Sequence, residues 1–510
     1  MYLTIVILCR IMFWEVYMKN KKIAYYNNDA ALAFSDVYLI PLYSDIKSRF
    51  GDQIDTTTSV ALGAPKLKIP FISAGMDTVT EDAMAEIMAL NGGIGEIHRN
   101  NTPEEQAELV RMVKEKMRLM EKNPPMVSES ATIGDALSVL EKRNRGYVIV
   151  YPGTSFKGKF SGMATSKDFL AGNSDTPIKD VMTPFEGGNK RKLITGDEST
   201  TLAKAVEIME SSRIEKLPII NKSKNLLGVY TLKDSQHLIK YPNAATDAQG
   251  RLMVGAAIGV HEIDVERALK LVDAGVDILF LDIAHGHSIH TKAMVKRLKL
   301  NEKIKTPLVI GNFATSEGVL FAEDIGADGI KVGIGPGFSC KTRNVAGTGV
   351  PQVTAILEAK NALLRKRNAP PLIADGGLRE PGDAPKAIAC GADAIMTGHL
   401  LVATDKSPGE LIKIGGILQK RYSGMASKRV FQERKRLGDS TTNPNLYTPE
   451  GREVFIPYQG STQDFLNEYI GGFRSAMSYA GAHSISEMQD ARLIHVSGYG
   501  SNEQARPLSS

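Results

Sequence analysis

The strongest chemical signal in the chain is Gly333-Ile334-Gly335-Pro336-Gly337-Phe338-Ser339-Cys340-Lys341-Thr342-Arg343. Glycines at alternate positions permit positive φ and let backbone amides face a ligand or an ion. The apolar run before them reads as a strand, so Cys340 arrives at that strand's carboxyl end, where barrels keep their reacting groups. A thiol beside Lys341 and Arg343 in an electropositive loop is placed to lose its proton and attack an electrophilic carbon. Taken alone, a cysteine after glycines is more often a small buried hydrophobe. Cys390, set between alanine and glycine at a helix end, fits that description. Two further loops could cradle a phosphate: Asp375-Gly376-Gly377 and Thr397-Gly398-His399 follow apolar runs at the places where barrels often hold phosphate on backbone amides. Asp375 would be free to accept hydrogen bonds from a ribose diol. His98, His285 and His287 do not fall at metal-ligand spacing with carboxylates, which disfavours a hydrolytic metalloenzyme.

The elements that must position these loops are apolar runs ending in Gly, Asp or Asn, each followed by an amphipathic segment. They are Ile69 to Gly75, Gly93 to Ile97, Met253 to Gly259, Asp277 to Ala284, Pro307 to Asn312, Gly329 to Gly335, Pro371 to Gly377 and Ala394 to Gly398. Ala274-Gly275-Val276-Asp277, Ile325-Gly326-Ala327-Asp328 and Cys390-Gly391-Ala392-Asp393 each put a helix-ending glycine just before a strand. The repeat predicts an α/β fold, a (β/α)8 barrel with parallel strands. Between the second and third units lies an insertion with its own repeat. Ser130-Ala131-Thr132-Ile133 and Ser199-Thr200-Thr201-Leu202 each lead into a helix, then a strand, then a Gly-containing strand and Lys-Asp. The expected division is an extension over 1–28, barrel over 29–119, the inserted pair over 120–240, and barrel, flap and C-terminal segment over 241–510. Arg421 to Arg452 is polar and weakly periodic, which suits a lid over the barrel mouth.

The 510 residues are 43% apolar and 23% charged, which excludes a disordered or fibrous chain and leaves room for a large core. A net charge of +5, spread along the chain, advertises no nucleic-acid footprint and suits anionic small molecules. Cys9, Cys340 and Cys390 are too few for a disulfide framework, so a reducing, cytoplasmic setting is expected. The apolar run Tyr2 to Cys9 is too short to span a bilayer and has no cleavage site, and Met18 resembles an alternative start.

Several longer motifs carry a resemblance. Asp36-Val37-Tyr38-Leu39-Ile40-Pro41, Ser73-Ala74-Gly75-Met76-Asp77-Thr78-Val79-Thr80, Asp282-Ile283-Ala284-His285-Gly286-His287-Ser288, the Cys340 loop with Val345-Ala346-Gly347-Thr348-Gly349-Val350-Pro351-Gln352, and Tyr422-Ser423-Gly424-Met425-Ala426-Ser427 together resemble the IMP dehydrogenase and GMP reductase family. The insertion resembles a tandem CBS pair, a module that commonly takes adenine or guanine nucleotides. The resemblance implies that Cys340 attacks purine C2. A dehydrogenase would then pass hydride to NAD+ and hydrolyse the adduct, turning IMP into XMP. A reductase would release ammonia from GMP and take hydride from NADPH to give IMP.

By position, the resemblance implies that Thr342 and Glu450 orient water or ammonia. It places Ser339, Asp375, Gly376, Gly377, Gly398, His399, Tyr422, Gly424 and Met425 on the nucleotide, and Asp282, Gly333, Ile334 and Gly335 on the dinucleotide. Potassium would sit on carbonyls of Gly335, Gly337 and Cys340, joined by Glu503 of a neighbouring subunit in a homotetramer or octamer. Phe338 stands where the family has a serine and His399 where it has a small residue. No Arg-Tyr pair occurs in the flap, where dehydrogenases use one to activate water; Arg429 or Arg434 is left as the arginine base. The Cys340 loop, the Asp-Ile-Ala-His-Gly-His run and the insertion favour a dehydrogenase, while the flap and Gly-Met-Ala-Ser favour a reductase. A nucleotide-binding regulator without catalysis is the third alternative.

Overall fold

The computed structural model describes residues 31–116, 120–143, 146–186, 193–437 and 447–496. The extension over 1–28, Cys9 and Glu503 lie outside the described residues. Among those described, no helix is long and apolar enough to cross a membrane.

Eight parallel strands close into a barrel: β1 (Phe71–Ser73), β2 (Ile94–Ile97), β3 (Gly255–Ile258), β4 (Ile278–Asp282), β5 (Leu308–Phe313), β6 (Gly329–Val332), β7 (Leu372–Asp375) and β8 (Ala394–Thr397). The ring closes where Ile395, Met396 and Thr397 pair with Phe71, Ile72 and Ser73. Strands buried on both faces read as unbroken apolar runs, which is why all eight were legible without alternation. Ile72, Ile94, Ile278, Phe280, Val309, Ile373 and Met396 share the core.

The Gly-x-Asp signature has a structural cause. Gly275, Gly326 and Gly391 have φ of 90°, 89° and 111°, left-handed turns that end a helix. The aspartate two residues on then clamps the start of the preceding strand. Asp277, Asp328 and Asp393 accept the backbone N–H of Val254, Leu308 and Leu372 at 2.7, 2.9 and 2.8 Å on their side chains. Each also donates its own N–H to the carbonyl of that same residue. One motif therefore stops the helix and fixes the register of neighbouring strands.

The chain divides into two compact units, one running to Lys114 and resuming at Asn243–Asp247 and from Leu252, the other Glu115–Pro242 with Ala248–Arg251. Each half of the second unit carries a helix followed by an antiparallel strand pair: Ile133–Arg143 with Tyr147–Tyr151 and Gly162–Thr165, then Leu202–Ser211 with Lys216–Ile220 and Leu226–Thr231. Thr132 and Asp135 form reciprocal caps at the first helix, and Thr201 caps the second. Tyr147, Ile149, Phe160, Met163 and Val229 form a core shared by both halves, and the Tyr147 hydroxyl donates to Glu121 at 2.7 Å.

Of the expected loop over Arg421 to Arg452, residues 438–446 lie outside those described, and the described part is more ordered than its composition implied. Arg421 to Ser423 ends a strand, Ile417–Ser423, which pairs with Leu411–Ile414 and Glu453–Pro457, and Lys428–Arg436 is a helix capped by Ser427. Sheet pairing of alternating residues overrode local polarity. A long helix, Thr462–Ala480, follows, and its Tyr469 and Phe473 rings meet Phe71 of β1 edge-on at 5.0 and 5.6 Å.

Candidate active site

The β6 loop can reach the end of β7 only through glycine. Gly333 has φ of 153°, and a Cβ there would lie 2.1 Å from the Asp375 carbonyl oxygen. The Gln352 amide donates to the carbonyls of Val332 and Asp375 at 2.7 and 3.1 Å, tying the two strand ends together. Beyond the turn, the chain pairs with the segment after the flap: Lys341 N–H donates to Glu450 O at 2.5 Å and Arg452 N–H to Ser339 O at 2.9 Å. That pairing brings residues 108 positions apart into one relay. The Cys340 thiol donates to the Thr342 hydroxyl at 3.1 Å, and that hydroxyl donates to Glu450 Oε2 at 2.8 Å. The Thr342 N–H also points at the sulfur, at 3.5 Å. The sulfur is half-buried at the strand's carboxyl end, whereas Cys390 is fully buried.

One expectation about this thiol needs correction. Arg343 turns away from it: its guanidinium donates to the Val350 carbonyl at 2.7 Å and packs over Gly335 and Gly349. The group next to the sulfur is the Thr342 hydroxyl.

The expected nucleotide residues gather around this loop. Gly376 and Gly377, with φ of 81° and 83°, fold against Pro336 and Gly337. The Asp375 carboxylate accepts from the Asn312 amide at 2.8 Å. Gly398 lies under Met76 and Tyr422, whose hydroxyl would be 3.1 Å from a Cβ there. Burial pushes the Tyr422 phenol up to about 12, so it stays a neutral hydrogen-bonding group. Gly424 lies against Ser339 and Gly451, and the Met425 sulfur receives the Asn100 amide at 3.7 Å.

The two departures from the family pattern touch each other. The Phe338 and His399 rings stack at 3.9 Å with 14° between planes, and the Arg452 guanidinium lies 5.0 Å over Phe338. Burial, helped by Arg379 and Arg452, holds His399 below the usual imidazole value. Its Nδ1 has no hydrogen-bond partner among the described residues.

The two candidate flap bases both engage other side chains. Arg429 forms a two-pronged bond to Asp77 at 2.8 and 2.7 Å and approaches Glu453 at 3.4 Å, while its neighbour Val430 is fully buried. Arg434 donates to the Asn100 side chain at 3.0 Å, on the side of Asp282. Burial pushes Asp282 up, but Lys331 at 2.9 Å, with Arg99 and Arg434, outweighs it and holds the carboxyl below the usual carboxylate value. Of the expected cation ligands, Gly337 already accepts the Cys340 N–H at 3.0 Å, and Ile334, on the same turn, accepts from Val350 at 3.2 Å.

Sequence reading missed Lys331, Glu96, Asn312 and Arg452. The signal for the first two was available: a charged residue inside an apolar barrel strand needs a partner to be buried.

Residues 31–506 match the IMP dehydrogenase / GMP reductase domain family. The chain belongs to that family. It is 41% identical over 477 residues to an inosine-5'-monophosphate dehydrogenase from Nitrosopumilus maritimus, covering 92% of this chain and 96% of that one. It is 39% identical over 481 residues to a GMP reductase from Leishmania donovani, covering 92% and 96%. A solved cysteine-to-alanine variant of GMP reductase from Trypanosoma brucei, in complex with guanosine 5'-monophosphate, superposes with a TM-score of 0.80 at 36% identity, covering 95% of this chain and all of that one. The chain is thus an oxidoreductase of a family that acts on purine nucleotides.

Proposed function

We propose that this protein is an IMP dehydrogenase, converting IMP, NAD+ and water to XMP and NADH, with Cys340 as the nucleophile at purine C2. The observation that carries the nucleophile is the unbroken line of hydrogen bonds from the Cys340 sulfur through Thr342 to the Glu450 carboxylate, and the likeness to inosine-5'-monophosphate dehydrogenases over most of the chain supports the dehydrogenase direction. Along it the thiol proton passes to Glu450 and on to purine N3 while sulfur bonds to C2 and the C2–N3 double bond opens, which leaves Glu450 ionised again. NAD+ supplies the acceptor for the hydride that leaves C2. Thr342 and Glu450 then hold the incoming water and take its proton; oxygen replaces sulfur at C2, and Cys340 departs as the thiol.

Around this centre Asp375 accepts from the ribose diol, and the turns at Gly376, Gly377 and Gly398 hold the phosphate with Ser339, His399 and Tyr422. Asp282 is an ion-paired carboxylate at a strand end, with its side chain 23% exposed, the right chemistry for the dinucleotide's ribose. A hard monovalent cation takes oxygen donors, and Gly335, Gly337 and Cys340 offer backbone carbonyls from one loop, so potassium would sit there. The insertion, with its doubled helix and strand-pair plan, would act as a tandem CBS pair for adenine or guanine nucleotides. A cytoplasmic homotetramer or octamer completes the proposal.

A GMP reductase is the second reading, favoured by the engaged Arg429, the buried Val430 beside it and the likeness to the solved reductase. Absorbance assays in both directions separate the two. NADH formation from IMP and NAD+ with potassium supports the dehydrogenase. NADPH loss with GMP and release of ammonia would make the protein a reductase, and silence in both would overturn catalysis.

A further inference from the structure

One cation faces three carboxylates inside the barrel. Lys331, on β6 and only 2% exposed, lies 2.9 Å from Asp282, 3.5 Å from Asp375 and 3.7 Å from Glu96. The arrangement is built into the packing. Gly311 leaves room for the Lys331 stem, since a Cβ there would be 2.4 Å from the lysine Cβ, and Gly75 leaves room for Glu96, whose Oε1 would be 2.7 Å from its Cβ. Asp282 and Asp375 sit at strand ends with side chains 23% and 21% exposed, but Glu96, on β2, is 0% exposed. Both Glu96 oxygens lack a hydrogen-bond partner among the described residues, 3.7 Å being too long for one.

Resting on the functional reading above, we propose that Glu96 is a positioning residue. It holds a proton below the mouth and, through Lys331, links occupancy of the nucleotide subsite at Asp375 to that of the dinucleotide subsite at Asp282. With Glu96 neutral, the four groups sum to one negative charge; with Glu96 ionised, to two. One cation cannot neutralise three carboxylates, and Glu96 is both the farthest from Lys331 and the one that water does not reach, so the proton belongs there. Burial is the main cause that pushes Glu96 up to about 8, with Asp282 and Asp375 adding to it and Lys331 opposing. Arg99 and Arg434 are further charged groups facing the cluster, on the Asp282 side. A ligand docking on Asp282 or Asp375 displaces the water that screens these carboxylates, which strengthens their mutual repulsion. Binding of an anionic nucleotide therefore favours the protonated state, and above the Glu96 value it draws a proton in.

The test is equilibrium binding of IMP and GMP, by calorimetry, to Cys340→Ala and to Cys340→Ala with Glu96→Gln, so that no turnover occurs and the base titrates alike in both. Affinity in the single variant should fall by about tenfold per pH unit above about pH 8, with proton uptake, and the component due to Glu96 should vanish with the glutamine. An identical pH limb in both proteins would overturn the coupling. Absence of nucleotide binding at every pH would overturn the functional reading, and the coupling with it. Infrared spectra of the unliganded wild-type protein test the proton separately: a protonated carboxyl band at neutral pH, lost at alkaline pH and absent from Glu96→Gln, is expected. A fully ionised Glu96 at neutral pH would contradict the proposal even if the glutamine variant failed to fold.

Discussion

Replacing Glu450 by Gln changes one atom at the end of the relay and leaves the backbone pairing that positions it. The carboxylate accepts from Thr342 at 2.8 Å, and Thr342 accepts from the Cys340 thiol at 3.1 Å. A glutamine can still accept that hydroxyl but cannot take a proton. Exchanging the charge-assisted bond for a neutral one costs about 1–1.5 kcal/mol, which is about 5- to 13-fold in rate, and loss of general-base action typically costs about 10²–10⁴. We expect kcat to fall about 100-fold or more, with KM for the nucleotide changed by less than about threefold, because the Lys341 to Glu450 contact is main chain and survives. Steady-state kinetics with rapid-quench single turnovers would separate chemistry from binding. Thr342→Val should mimic the loss and Thr342→Ser should retain most activity. Equal changes in kcat and KM, or activity within about twofold of wild type, would refute the relay.

Three further outcomes follow from the geometry. Gly333→Ala should destabilise the protein by at least about 2 kcal/mol in denaturant unfolding, since the residue is left-handed and a Cβ would meet the Asp375 carbonyl; unchanged stability would mean that the two strand ends are not held in close approach. Arg434→Gln should raise KM for the dinucleotide and spare kcat, because Arg434 reaches Asn100 on the Asp282 side; a selective fall in kcat would restore it as the water-activating base. The third concerns stability against pH. The folded protein holds the Glu96 proton up to about 8, whereas the unfolded chain releases it near the ordinary glutamate value. The folded state binds more protons in that window, so stability falls as pH rises through it, by up to about 1.4 kcal/mol per pH unit. Glu96→Gln should flatten this fall in thermal melts, and a parallel pH dependence in the two proteins would count against it.

The barrel was legible because fully buried parallel strands write themselves as continuous apolar runs and because the Gly-x-Asp motif does two mechanical jobs at once. Cys340 and Asp375 stood out for the same reason, following apolar strand runs, whereas Thr342 and Glu450 came into view only through the family resemblance. The flap was not. Arg421 to Ser423 becomes a strand only because Glu453–Pro457 pairs with it, and that partner lies beyond the helix at Lys428–Arg436. Local sequence also suggested that Arg343 would face the thiol, but the Val350 carbonyl claims it. Glu96 and Lys331 were overlooked because they sit in apolar strands, and only the closed ring makes β2 and β6 neighbours of one charge cluster.

The central claim, a covalent bond from Cys340 to purine C2, is tested most directly by intact-protein mass spectrometry after exposure to a purine nucleotide bearing a leaving group at C2. The account predicts one nucleotide adduct per chain, mapped to the peptide containing Cys340 and absent from a folded Cys340→Ala variant. Labelling that persists in that variant, or maps to another residue, would contradict it.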